Sequence, residues 1–223
     1  MKNLNTILIT LISTILLIGC ASIKQTNNTV SNDGELFTTL KLDSTFIKTK
    51  GIIKNTPFSN ICENIPENMA ELTGGIKKYF YKFSSKSSAN LDAFGYGGGS
   101  LENKETLLIV DFVQHKDIFC TDGKKRTFGV GARLFLKISK KKRNISFGLP
   151  KLAANVELGK AEVEYTISTI GLTGDKILDV LPTGNEFDVE NYAKIVNSID
   201  NIIKLAKDNT DGVNIEPQLL PAN

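Results

Sequence analysis

The stretch Phe128-Gly-Val-Gly-Ala-Arg-Leu-Phe-Leu-Lys-Ile-Ser139 decides the fold. Phe128, Val130, Ala132, Leu134, Leu136 and Ile138 are apolar at every second residue. Between and around them stand Thr127, Gly129, Gly131, Arg133, Phe135, Lys137 and Ser139. A strand points successive side chains to opposite faces. A period of two held from 128 to 138 therefore predicts a strand with one face buried and the other mostly wet.

The same pattern extends outward. Thr106–Asp117 (TLLIVDFVQHKD) reads as a second strand, turned by the loop Thr121-Asp-Gly-Lys-Lys125. Ala161, Val163, Tyr165 and Ile167 alternate with Glu162, Glu164, Thr166 and Ser168, a third strand. Ile76–Phe83 is short and aromatic, hence a strand. The apolar clusters between Leu36 and Lys54 predict one or two more. Ile65–Leu72, with Pro66 early and Gly74-Gly75 behind it, reads as a short helix with a glycine stop. After Asp188 the period changes. Tyr192, Ile195, Val196, Ile199, Ile202, Ile203 and Ala206 form one stripe at three-four spacing, a helix from Val189 to about Lys207. Asp188 suits its cap, and Lys204 and Lys207 suit its negative end. The stripe needs an apolar partner, and the even-numbered face of the 128–138 strand offers one.

Clean alternation argues for antiparallel strands covered on one face. The expectation is one α+β domain over residues 35–207: a twisted antiparallel sheet of about five to seven strands, with a C-terminal amphipathic helix packed on one face. Residues 208–223, with Pro217 and Pro221, read as an extended tail. The alternative is a small β-barrel with an external C-terminal helix. That shape is similar to the lipocalins, some of which are bacterial outer-membrane lipoproteins, but their early Gly-x-Trp signature needs a tryptophan and this chain has none.

Leu4 to Ile18 carries no charge, and Lys2 precedes it. As a helix this run reaches roughly 22 Å, short of a hydrocarbon core of about 30 Å. It fits a secretory signal better than a membrane span. Leu17-Ile18-Gly19-Cys20 resembles the bacterial lipobox: an aliphatic residue, a tolerated second position, a small residue, then cysteine. The resemblance covers residues 1–22 only. It implies diacylglycerol on the Cys20 sulfur, cleavage between Gly19 and Cys20, and an N-acyl chain such as palmitate on the new amine. Two or more acyl chains make anchoring stable. Residues 1–19 are then a signal peptide, and 20–34 a lipidated flexible tether. By resemblance to Gram-negative sorting, an aspartate after the cysteine would favour inner-membrane retention, and position 21 is alanine. The expected location is the outer membrane, facing the periplasm; a cytoplasmic-membrane anchor on the outer face is the alternative.

Cysteines occur at 20, 62 and 120. Lipid on Cys20 leaves Cys62 and Cys120 in an oxidising compartment, where a disulfide is the default. Neither lies in a CxxC pattern or near a His/Cys cluster, so no metal is expected. A net charge of +3, evenly spread, gives no reason to invoke nucleic acid.

No motif beyond Cys20 names an activity. Gly95-Tyr96-Gly97-Gly98-Gly99-Ser100 leads into a strand rather than a helix, unlike a phosphate-binding loop. Glu102 stands where a nucleophile elbow needs glycine. A mobile loop is the simplest reading, with Tyr96 at its tip available to a partner. His115, the only histidine, shares strand parity with Asp111 and Asp117, but no activated serine accompanies them. A solvated polar strand end explains these three. Lys124-Lys125-Arg126 and Lys137 with Lys140–Arg143 mark opposite hairpin tips, where charge also deters edge aggregation. Glu157, Glu162 and Glu164 suit cross-strand pairing with Arg133 and Lys137.

These readings converge on a lipid-anchored envelope lipoprotein acting as a non-enzymatic binding or structural module. Its partners are the membrane, through the anchor, and an envelope protein; it needs no cofactor and no catalytic residue. An inhibitor or immunity-type lipoprotein using loop 94–100, and a lipocalin-like carrier of lipid or small ligands, are the alternatives. Replacing Cys20 by serine is expected to abolish incorporation of a labelled fatty acid in bacterial cells. Retained label on Cys20→Ser would refute the anchoring argument.

Overall fold

The computed structural model describes residues 44–52, 60–85, 87, 91–141 and 147–221. The lipobox, the tether and residues 36–43, 53 and 54 of the expected 36–54 strand region lie outside the described residues; the described part of that region is helical over Ser44–Thr49, not a strand.

Four long strands run as a meander: β1 (Ile76–Ser84), β2 (Glu105–Phe119), β3 (Lys125–Lys140) and β4 (Ala161–Ile170), each antiparallel to the one before. The short pair β5 (Leu172–Thr173) and β6 (Asn214–Ile215) forms a separate ribbon. A fifth strand joins the main sheet as β7 (Gln218–Leu219), pairing with Phe128 and Gly129 of β3 beyond the last pairing of β4. The sheet is open, so the barrel alternative is not what forms. The helices are α1 (Ser44–Thr49), α2 (Leu149–Glu157), α3 (Asp175–Asp179) and α4 (Val189–Lys207).

The α4 helix begins where Asp188 accepts a 2.7 Å hydrogen bond from the Asn191 amide. Such a cap stabilises a helix by about 1 kcal/mol. Its stripe buries Ile195, Ile199, Ile202, Ile203 and Ala206 against β2 and β3 and beside α2. At about 1.5–3 kcal/mol per large side chain, that seam is of order 10 kcal/mol gross, an upper bound. The even-numbered Val130, Ala132, Leu134, Leu136 and Ile138 of β3 lie in this core with Leu108, Val110 and Phe112 of β2. Phe128 does not. It pairs with Leu219, whose amide donates to the Gly51 carbonyl, and it joins the opposite core.

That second core corrects the one-sided sheet. Tyr81, Phe83, Leu107, Ile109 and Phe135 are buried on the other face, under Phe46, Leu91, Phe94 and Leu101. The cover is irregular chain and short helices, including a 3-10 turn at Leu91–Phe94. The continuous run Leu107-Leu-Ile-Val110 fits this: a strand buried on both faces has no reason to alternate. Two further corrections concern other segments. Only Met69–Glu71 is helical in the expected 65–72 helix, as one 3-10 turn capped by the Asn68 side chain. The segment after α4 is not a free tail: it is docked, with Leu219 and Leu220 buried.

Burial on both faces forces Asp111 and Arg133 into the interior. Asp111 is fully buried, and its two oxygens accept 2.7 Å hydrogen bonds from Nε and Nη2 of Arg133. The third donor, Nη1, reaches the Phe94 carbonyl at 2.9 Å, and the guanidinium lies 5.0 Å from the centroid of the Phe94 ring. Asp111→Asn leaves Arg133 buried without its counter-charge and is expected to cost about 3–5 kcal/mol in urea unfolding. The double replacement Asp111→Leu with Arg133→Met is expected to cost markedly less. Equal losses in the two proteins would contradict this account.

Candidate functional site

The glycine loop sits at the rim of the second core. It leaves the Leu91–Phe94 turn through two main-chain hydrogen bonds, the Gly95 amide donating to the Asp92 carbonyl (3.0 Å) and the Tyr96 amide to the Leu91 carbonyl (3.3 Å). Its root is therefore fixed twice, by these bonds and by Arg133 holding the Phe94 carbonyl. Gly95 and Gly99 take φ values of 77° and 74°, a conformation that costs glycine little. Tyr96 packs at 5.5 Å between ring centroids on Phe135, and its ring folds back over Gly98. A side chain at position 98 would collide with the end of that ring.

Beside Tyr96 lies a groove of about 380 Å³, lined by the loop on one side. The floor is the sheet: Phe135 and Lys137 of β3, and Glu164, Thr166 and Ser168 of β4. Register explains the set, since Lys137 pairs with Glu164, Phe135 with Thr166 and Arg133 with Ser168. Lys137 donates to Glu105 at 2.9 Å, which raises its pKa. Burial works to raise the Glu105 carboxyl, but the Glu102 amide, Lys137 and Ser139 together hold it below its ordinary value. Burial raises the Tyr96 hydroxyl, against the opposing pull of Lys137. The groove thus presents the Lys137–Glu105 ion pair, the Glu164 side chain, the hydroxyls of Tyr96, Thr166 and Ser168, and the rings of Tyr96 and Phe135. That arrangement can hold a polar, partly aromatic or hydroxyl-bearing segment; it supplies no nucleophile with a base beside it.

The other residues singled out by sequence do not converge. His115 is buried with Nδ1 2.8 Å from the Gly75 carbonyl. Asp111 serves Arg133, while Asp117 accepts from Thr127 (2.7 Å) and pairs with Lys125 (2.7 Å). No metal-binding group of His, Cys, Asp and Glu occurs among the described residues. Cys62 and Cys120 are joined in a disulfide. Glu162 pairs with Lys141 rather than Arg133 or Lys137. Among the described residues no helix is long and apolar enough to cross a membrane.

Sequence reading missed the Asp111–Arg133 clamp. Its signal was present: both residues stand eleven positions from Asp122, in the turn of the β2–β3 hairpin, so they face each other in register. Comparison with protein-family models, curated proteins and solved structures finds no match to this chain.

Gly98→Ala is expected to push the Tyr96 ring off Phe135 without disturbing the core. The near-ultraviolet circular dichroism should change while stability falls by less than about 1 kcal/mol. A loss as large as that of a core truncation would show that the loop is structural.

Proposed function

We propose that the chain is a lipid-anchored envelope lipoprotein that works as a non-enzymatic binding module, with the Tyr96 loop and its groove as the contact surface. The observation that carries this reading is the loop itself. A glycine-rich segment at the surface is held at its root by a buried ion pair and presents an aromatic ring beside an open polar groove. Preorganisation of this kind lowers the ordering cost of binding, and a tyrosine on a rigid base is a common anchor of protein interfaces. Lipid attachment at Cys20 rests on the lipobox resemblance. It puts the module at a membrane surface, where an envelope protein is the expected partner.

The test is in-cell photocrosslinking from position 96, with position 158 on the surface as the control. Position 96 should yield a discrete adduct with one envelope protein, and position 158 should not. Tyr96→Ala, probed from the neighbouring position 97, should lose most of that adduct at an unchanged melting temperature. Identical adducts from both positions, or none from 96, would refute the loop as the contact surface.

A further inference from the structure

The β2–β3 hairpin has its turn at Thr121–Lys124, far from the Tyr96 groove, and its tip has an unusual surface. Phe119 is 77 % exposed, the most exposed large apolar side chain among the described residues. It pairs in register with Lys125, and Lys124 precedes that lysine in the turn. A phenylalanine in water at the end of a long hairpin does nothing for the core, which already has Ile118 and Cys120 on either side of it.

The tip is rigid. Cys120 is tied to Cys62, the Thr121 amide and hydroxyl both donate to the Ile61 carbonyl at 2.7 Å, and Asp122 is gripped by the buried guanidinium of Arg126 at 2.7 and 2.8 Å. That hydrogen bonding is the main reason the Asp122 carboxyl titrates at about 2. The charges sort accordingly. Asp122 is engaged by Arg126 and Asp117 by Lys125. Lys116 and Lys124 stand outside any ion pair of the described residues.

The α1 helix also reaches this end. The first described residue is Ser44, and the Thr45 hydroxyl accepts from Arg126 at 3.4 Å. Cys20 precedes Ser44 by 24 residues, which span at most about 80 Å however they are arranged. The second basic cluster begins at Lys140, the other end of a strand up to about 50 Å long. The reach of the segment before Ser44 lets an anchor at Cys20 bring the β2–β3 tip to the bilayer, and of the two basic hairpin ends this is the one that carries an exposed aromatic ring.

We propose that the β2–β3 tip is a second membrane contact: Phe119 enters the interfacial region of an anionic phospholipid bilayer, while Lys116 and Lys124 meet its headgroups. This rests on the lipid-anchor reading of Cys20. An exposed aromatic ring with Lys125 paired beside it and Lys124 in the adjoining turn, and Lys116 three residues back on the other side of the ribbon, suits that interface, where apolar burial and headgroup attraction act together. The contact would turn the Tyr96 groove, on a different part of the sheet, away from the headgroups and toward a soluble or membrane-bound partner.

The chain contains no tryptophan, so Phe119→Trp gives a single reporter. The lipidated protein is reconstituted into vesicles of phosphatidylcholine alone or an equal mixture with phosphatidylglycerol, floated on a density gradient, and read by emission and by quenching with brominated acyl chains. In the anionic vesicles the emission of Phe119→Trp should shift to the blue and be quenched. The control Leu158→Trp, at an exposed position near the far end of β3, should show neither change. Adding Lys116→Glu and Lys124→Glu to Phe119→Trp should remove at least half of its quenching while flotation persists. A floating protein whose indole at position 119 stays in water, or whose indole at position 158 is quenched equally, overturns the docking and leaves the anchor standing. So does quenching at position 119 that the lysine replacements leave unchanged. A protein that fails to float overturns the anchor reading, and this proposal with it.

Discussion

The ion pair between Asp111 and Arg133 is the constraint around which the molecule is arranged. Two charges are held in an apolar interior, and such a pair persists only when every donor and acceptor is met. Here the match is close to complete. Both carboxylate oxygens accept from the guanidinium, and its remaining outward nitrogen holds a main-chain carbonyl. That carbonyl belongs to Phe94, whose ring also packs on Phe46, Tyr81 and Phe83. One polar contact thus fixes the register of the two central strands, the position of the covering layer, and the root of the glycine loop. Tyr81 shows the cost of so dry a setting. Its hydroxyl is buried with no hydrogen-bond partner among the described residues, and burial drives its pKa well above the ordinary value.

What the sequence made legible was whatever depended on local periodicity. The helix at Val189–Lys207 was readable because its isoleucines repeat at three-four spacing behind an aspartate cap, and the central strands because apolar residues recur at every second place. The cover over the second face was not readable. Phe46, Leu91, Phe94 and Leu101 come from short turns without a period, and nothing local says that they meet over Phe135. Arg133 misled for the same reason: a charged residue on an alternating strand reads as wet until its partner is found across the hairpin. The Ile65–Leu72 helix failed because Asn68 caps the chain in mid-segment and leaves room for only one turn.

The candidate site was half legible. The glycines of 95–99 flagged a loop, but its rigidity comes from Arg133, and its groove from residues 135–168 brought alongside by register. The hairpin tip shows the converse. Its lysines were visible at once, while the exposure of Phe119 could be learned only from the fold, because Ile118 beside it is buried. On the proposed reading these two surfaces divide the work: one orients the molecule on lipid, the other is offered to a partner.

The four long strands follow one another in space in the order they occur in the chain, so each pairs with a neighbour already made. Such local pairing carries a small loop-closure penalty and favours quick assembly. β7 breaks the rule. Its pairing of Gln218 with Gly129 joins residues 89 apart, and it reaches β3 only after the other strands have emerged in sequence. Leu219 then packs against Phe46 and Phe128, Leu220 against Val113 and Ile170, and the Leu220 amide fastens to the Thr127 carbonyl. The segment therefore acts as a latch. While it is undocked, the end of β3 keeps unpaired main-chain groups and an open apolar seam, the very surface that chaperones hold and proteases find; closing it is what would take the nascent molecule out of their reach.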